Sequence, residues 1–88
     1  MTIAIDVRYF AAAAAGVGST ADRREYDVPV TIGTLLADVE RSSATAENRL
    51  GTVLGRCSFI VNGVTTRDRE LQLADGDQLD VLPPFAGG

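Results

Sequence analysis

The sequence predicts an α+β domain, one mixed sheet with one main helix lying across it. Three observations carry that expectation. Residues 2–9 alternate apolar and polar side chains, the period of a half-buried strand. Ile32, Leu35, Leu36 and Val39 recur at i, i+3, i+4 and i+7, the period of a helix with one face on a core. Residues 56–82 return to short strand-like segments, punctuated by Asn62-Gly63 and Asp75-Gly76-Asp77, both turn signals. At 88 residues the folded chain buries roughly 60–65% of the surface its unfolded form exposes, enough for one core and not for two.

The first strand puts Ile3, Ile5, Val7 and Tyr9 on one face and Thr2, Ala4, Asp6 and Arg8 on the other. Phe10 breaks the alternation. Residues 11–15 are five alanines followed by Gly16 and Gly18, so a short helix is expected, a solvated turn with little surface to give the core. Residues 16–22 read as a loop. Residues 24–28 offer a second strand, antiparallel to the first. Thr31 is a good N-cap for the main helix over residues 32–41, with Thr34, Asp38 and Arg41 pointing away from its apolar stripe. Residues 42–55 are polar and small, and Leu50, Val53 and Leu54 suit a helical turn over an end of the core. Residues 56–61 are a third strand, with Cys57, Phe59 and Val61 alternating. Asn62-Gly63 then makes a hairpin to a return strand at Val64 and Thr65. Leu71 and Leu73 lead to the Asp75-Gly76-Asp77 turn, and residues 78–82 are the last strand, with Leu79 and Val81 on one face. This order fits the β-grasp, ubiquitin-like topology, in which the first and last strands lie parallel at the sheet centre.

Composition narrows the function. The chain is 45% hydrophobic, 23% charged and 6% aromatic, as globular domains are. A net charge of −4 argues against nucleic acid and against an anionic membrane as partners. There is no histidine, and all eight cationic side chains are arginine. The usual general base, the usual metal ligand, Schiff-base chemistry and a P-loop lysine are therefore missing. Cys57 is the one cysteine, so it makes no internal disulfide, zinc site or CxxC pair. The opening residues lack a basic region, and no run approaches the ~18 apolar residues of a membrane span. The expectation is an acidic cytoplasmic domain with no catalytic side chains and no metal.

The chemistry concentrates in the last six residues. The division expected is a globular domain over residues 1–82 and an extended tail over residues 83–88. Pro83 and Pro84 cannot donate to a ladder, so pairing should stop there. Two prolines in succession favour stiff polyproline II. Gly87 and Gly88 lack a Cβ and can thread a channel that any side chain would block. Fully extended, the tail reaches about 20 Å. A glycine carboxylate at Gly88 is unhindered, open to adenylation by ATP and then to a sulfur or amine nucleophile. The partner in such chemistry supplies the acid and the base.

The chain resembles the MoaD/ThiS sulfur-carrier family, in its MoaD-type branch of molybdopterin synthase small subunits. The residues that carry the resemblance are Val7-Arg8-Tyr9-Phe10-Ala11, the helix after Thr31, and Asp75-Gly76-Asp77 through the strand to Pro83-Pro84-Phe85-Ala86-Gly87-Gly88. The resemblance implies a sulfur carrier, the sulfur-donor half of a sulfurtransferase. An E1-like enzyme would adenylate Gly88 with ATP, and the carboxylate would become a thiocarboxylate. The loaded tail would enter a MoaE-type large subunit and give its sulfur to cyclic pyranopterin monophosphate to form molybdopterin. Gly87 would give clearance, Pro83, Pro84, Phe85 and Ala86 would seat the tail, and Phe10 and Leu82 would contact the large subunit. The assembly implied is a heterotetramer, with no cofactor bound to the small subunit. Two other outcomes share the Gly-Gly chemistry: a sulfur carrier for thiamine or cysteine biosynthesis, and a ubiquitin-like protein modifier. The run of alanines after Phe10 departs from the family, whose first helix is usually charged.

Other residues have plainer readings. Cys57 fits a small buried hydrophobe in its strand. Asp75, Asp77 and Asp80 fit a turn and a solvated strand face better than a cation site. Arg23-Arg24 and Arg67-Asp68-Arg69-Glu70 read as balanced surface charge.

Overall fold

The computed structural model describes residues 2–42 and 54–83. Its elements are β1 (Ile3–Tyr9), α1 (Ala11–Val17), β2 (Ala21–Tyr26), β3 (Val30–Thr31), α2 (Ile32–Ser42), β4 (Ser58–Val61), β5 (Val64–Thr66), β6 (Gln72–Leu73) and β7 (Gln78–Leu82). Five strands form one sheet in the order β2-β1-β7-β4-β5. β1 and β7 run parallel at its centre, and the other neighbours are antiparallel. This is the β-grasp arrangement expected from the element order.

One face of the sheet carries the core. Ile5, Val7 and Tyr9 from β1, Phe59 from β4, and Leu79 and Val81 from β7 are all buried there. α2 covers them with Ile32, Leu35, Leu36 and Val39, all four buried, each worth roughly 1.5–3 kcal/mol on full burial. Thr31 caps this helix as expected, its Oγ1 accepting the Thr34 N–H at 3.2 Å. Residues 54–56 form a helical turn, and Leu54 and Cys57 are buried in the same core. Leu50 and Val53 lie outside the described residues.

The structure departs from the sequence reading in several places. α1 runs through Gly16 and closes at Gly18, whose N–H donates to the Ala14 carbonyl at 2.8 Å. It also gives the core Ala13, which is fully buried. The second strand starts at Ala21, inside the expected loop, and ends at Tyr26. Its ladder with β1 extends from Ile3↔Tyr26 to Arg8↔Ala21, and the alternation along it is carried by charges rather than apolar residues. The third strand begins at Ser58, after the helical turn. A second sheet, β3 with β6, has strands too short to show a period. Asp38 does not point away into solvent. It takes hydrogen bonds from Arg24 at 2.8 Å, Tyr26 at 3.0 Å and Arg41 at 3.1 Å, tying β2 to α2.

Arg69 is also more than surface. Its guanidinium lies 5.4 Å from the Phe59 ring centre and donates to the Leu54 carbonyl. Its own carbonyl accepts the Gly33 N–H at 2.9 Å. A Cβ on Gly33 would sit 3.3 Å from that carbonyl oxygen, so any larger residue would press on the Arg69 backbone.

Candidate functional site

The site is built by the parallel pairing of β1 with β7. Because the two strands run the same way, Phe10 after one and Leu82-Pro83 at the end of the other come out together. The Phe10 N–H donates to the Val81 carbonyl at 3.2 Å. The last ladder partner of β7 is Ser58, opposite Leu82. β7 ends at Leu82, before Pro83, which has no N–H to extend a ladder. Phe10 is 39% exposed, in extended backbone at the start of α1. Ala11 then takes φ +50, a left-handed turn that costs a non-glycine residue roughly 1–2 kcal/mol. Leu82 and Pro83 are half-buried. Pro84, Phe85, Ala86, Gly87 and Gly88 lie outside the described residues.

Leu82 belongs to the sheet face opposite α2. The register sets Asp80 beside Arg8 on β1 and Ile60 on β4, so Arg8, Ile60, Asp80 and Leu82 share that open face, with Phe10 at its end. Asp80 is not the solvated residue the sequence suggested. Only 8% of it is exposed, because the Arg8 side chain folds over it. Arg8 Nε donates to Asp80 Oδ1 at 2.9 Å and a terminal nitrogen to Oδ2 at 3.0 Å. The Arg8 bond holds the Asp80 carboxyl below its ordinary pKa, against the upward pull of burial. The same guanidinium sits 5.8 Å from the Phe10 ring centre. Neither Arg8 nor Asp80 was a candidate from the sequence. Their spacing in the chain hides the pairing, and only the parallel register exposes it.

The far end of the same strands is closed. Gly76 and Gly63 stand at φ +87 and +88, which their turns require and glycine alone adopts freely. The Ala4 N–H donates to Asp75 Oδ1 at 2.8 Å, and the Ala4 carbonyl accepts from the Gly76 N–H at 2.8 Å. Asp77 accepts from the Ala74 N–H and from the Asn62 side-chain amide, each at 2.8 Å. Asn62 Oδ1 in turn accepts from the Gln78 N–H at 2.9 Å. The Asp75 and Asp77 carboxylates thus act as acceptors within the turns. Among the described residues no group of three or more His, Cys, Asp or Glu is placed to hold a metal ion. None of the described helices is long and apolar enough to cross a membrane.

The profile of the ThiS family matches residues 7–88, from β1 to the last glycine. The chain belongs to the ThiS family. This is the ThiS/MoaD family of sulfur carriers. No curated protein matches the chain significantly. Among solved structures, the HVO 2177 protein of Haloferax volcanii is 28% identical with a TM-score of 0.78, the match covering 99% of this chain and 88% of that one. The SAMP1 protein of the same organism is 26% identical with a TM-score of 0.75, covering 97% and 99%. Subunit 1 of the Helicobacter pylori molybdopterin-converting factor, solved in complex with subunit 2, is 22% identical with a TM-score of 0.65, covering 98% and 100%. At that identity the last likeness speaks for the fold.

Within this ThiS-family chain Cys57 is buried as expected, though it stands just before β4 rather than in it. Burial pushes its thiol pKa up, against the pull of Arg69, which suits a packed side chain rather than a nucleophile.

Proposed function

We propose that this chain carries sulfur on the Gly88 carboxylate for molybdenum-cofactor assembly. The observation that carries the reading is the match of a sulfur-carrier family through residue 88, on a fold that brings Phe10, Leu82 and Pro83 together where the tail begins. An E1-like enzyme adenylates Gly88 with ATP, releasing pyrophosphate. A sulfur nucleophile displaces AMP and leaves the thiocarboxylate. The open face, with Phe10 and Leu82 at the tail root, docks on a MoaE-type large subunit. Pro83, Pro84, Phe85 and Ala86 guide the tail, Gly87 gives clearance, and the thiocarboxylate delivers sulfur to cyclic pyranopterin monophosphate. The chain supplies no acid or base to these steps. Its work is to carry the reactive carboxylate and to offer a docking face. The complex of subunits 1 and 2 seen for the Helicobacter pylori protein supports a large-subunit partner; the assembly we propose is a heterotetramer of two small and two large chains.

The reading is tested by reconstitution. Thiocarboxylated protein mixed with the large subunit and the pyranopterin precursor should yield molybdopterin. Failure with a large subunit active toward another carrier would move the chain to a different pathway, such as thiamine or cysteine biosynthesis. A second reading has its own support: SAMP1, named a small archaeal modifier protein, is among the similar structures. Conjugation to other proteins would appear as larger covalent adducts carrying the Gly-Gly end on a partner's amine.

A further inference from the structure

We propose that Arg8 is a specificity-determining residue of the open face. Held by Asp80 and laid against Phe10, it admits a partner that offers an acceptor oxygen opposite its unused edge and disfavours one that is apolar throughout. The proposal rests on the reading that this face docks on the large subunit.

Arg8 lies among the apolar residues of that face. Phe10 follows it on β1, Asp80 beside it on β7 is flanked by Ile60 on β4, and Leu82 lies further along β7. A partner that covers Phe10, Ile60 and Leu82 therefore covers Arg8 as well. The two members of the ion pair do not meet it equally. The Arg8 side chain is 54% exposed, the Asp80 side chain 11%. The partner meets a guanidinium, with the carboxylate beneath it. A guanidinium carries five N–H donors in a rigid fork. Asp80 takes two of them, one on Nε and one on a terminal nitrogen. The rest have no acceptor among the described residues, and with the side chain 54% exposed they are open to solvent in the separate chain.

Docking removes that water. An apolar partner would leave those donors buried and unsatisfied, whereas an acceptor oxygen restores their bonds. The Asp80 carboxylate already balances the charge, so a main-chain carbonyl, an amide or a carboxylate oxygen all serve. Because Asp80 grips Arg8 at two points and the Phe10 ring lies alongside, the free edge is held in one direction. That gives selectivity between partners of similar shape.

The test compares the full-length wild type with Arg8→Leu/Asp80→Ala, which replaces the pair by apolar groups without leaving a lone buried charge. Binding to the large subunit is measured by titration, folding by thermal unfolding, and turnover with thiocarboxylated carrier. The double variant is expected to stay folded and to bind about tenfold more weakly or worse, with the loss in KM for the carrier far more than in kcat. Arg8→Lys keeps the charge but loses the second edge of the fork, and it should fall between the two. A folded double variant that binds as tightly as the wild type overturns the proposal. Should the double variant unfold, wild-type affinity in Arg8→Lys overturns it instead. A wild-type chain that does not bind the large subunit at all overturns the docking reading beneath it, which is a distinct result.

Discussion

The two ends of the central strands are held by different means. At the end where β7 begins, two tight turns are cross-tied. Asp75 and Gly76 grip Ala4, and Asp77 grips Ala74 and Asn62, whose side chain in turn grips Gln78. The Asn62, Asp75 and Asp77 side chains there are each tied to a neighbour. At the end where β7 finishes, Phe10 is 39% exposed, Leu82 is half-buried, and Arg8 offers donors outward. One end fixes the register of β7 against β1. The other uses that fixed register to bring Phe10, Leu82 and Pro83 together. The end that presents Phe10 and Leu82 is thus positioned from the far side of the sheet, about 17 Å along a five-residue strand.

The expected consequences separate the two ends, beginning with the largest. Deleting Gly87 and Gly88 should abolish sulfur transfer and leave thermal unfolding and large-subunit affinity near the wild type. A deletion that also unfolds the chain would make the tail structural. The two exposure classes of phenylalanine should part next. Phe59→Ala, in the core under β4, should cost roughly 3–5 kcal/mol in denaturant unfolding. Phe10→Ala should cost under about 1 kcal/mol in stability yet weaken docking about tenfold. Equal affinity for Phe10→Ala would remove it from the docking face. Asp77→Ala cuts the tie between the turns and should cost roughly 1–2 kcal/mol in stability, with docking of the folded protein unchanged. A docking loss as large as that of Phe10→Ala would show the two ends to be coupled.

The smallest effect is on acid stability. The Arg8 hydrogen bond outweighs burial and lowers the Asp80 pKa. Burial raises that of Asp38, and the bonds from Tyr26, Arg41 and Arg24 together bring it below its ordinary value. A carboxylate with a lowered folded-state pKa stabilises fully above its unfolded value, about 3.9, and loses that contribution as pH falls through the folded one. Unfolding curves should therefore hold level down to about pH 4 and fall below it. Asp80→Asn should shallow that fall, and an unaltered slope would count against the Arg8–Asp80 pair as a contributor.

Much of the fold was legible because its periods are clean. The stripe from Ile32 to Val39, the Thr31 cap, the Asn62-Gly63 hairpin with both residues at positive φ, and the last strand at Gln78–Leu82 all follow from local spacing. What stayed hidden is non-local. β3 and β6 are two residues each and carry no period. β2 alternates charges, so its inward side chains became visible only once Arg24 was seen to reach Asp38 and Ser42. The candidate site divides the same way. The proline-glycine end stands out by composition, and Phe10 and Leu82 enter through the family resemblance. Arg8 and Asp80, 72 positions apart, meet only through the parallel pairing, and a charged residue in an alternating strand reads as solvated until its neighbour is known.

Sulfur carriage on Gly88 is the step on which the proposed function depends. The most direct test is the intact mass of the protein after incubation with its adenylating enzyme, ATP and a sulfur source, beside a chain lacking Gly88. A shift matching exchange of one oxygen for one sulfur, absent from the truncated chain, is the expected result. An unchanged mass with an adenylating enzyme shown to be active, or the same shift in the truncated chain, would contradict it.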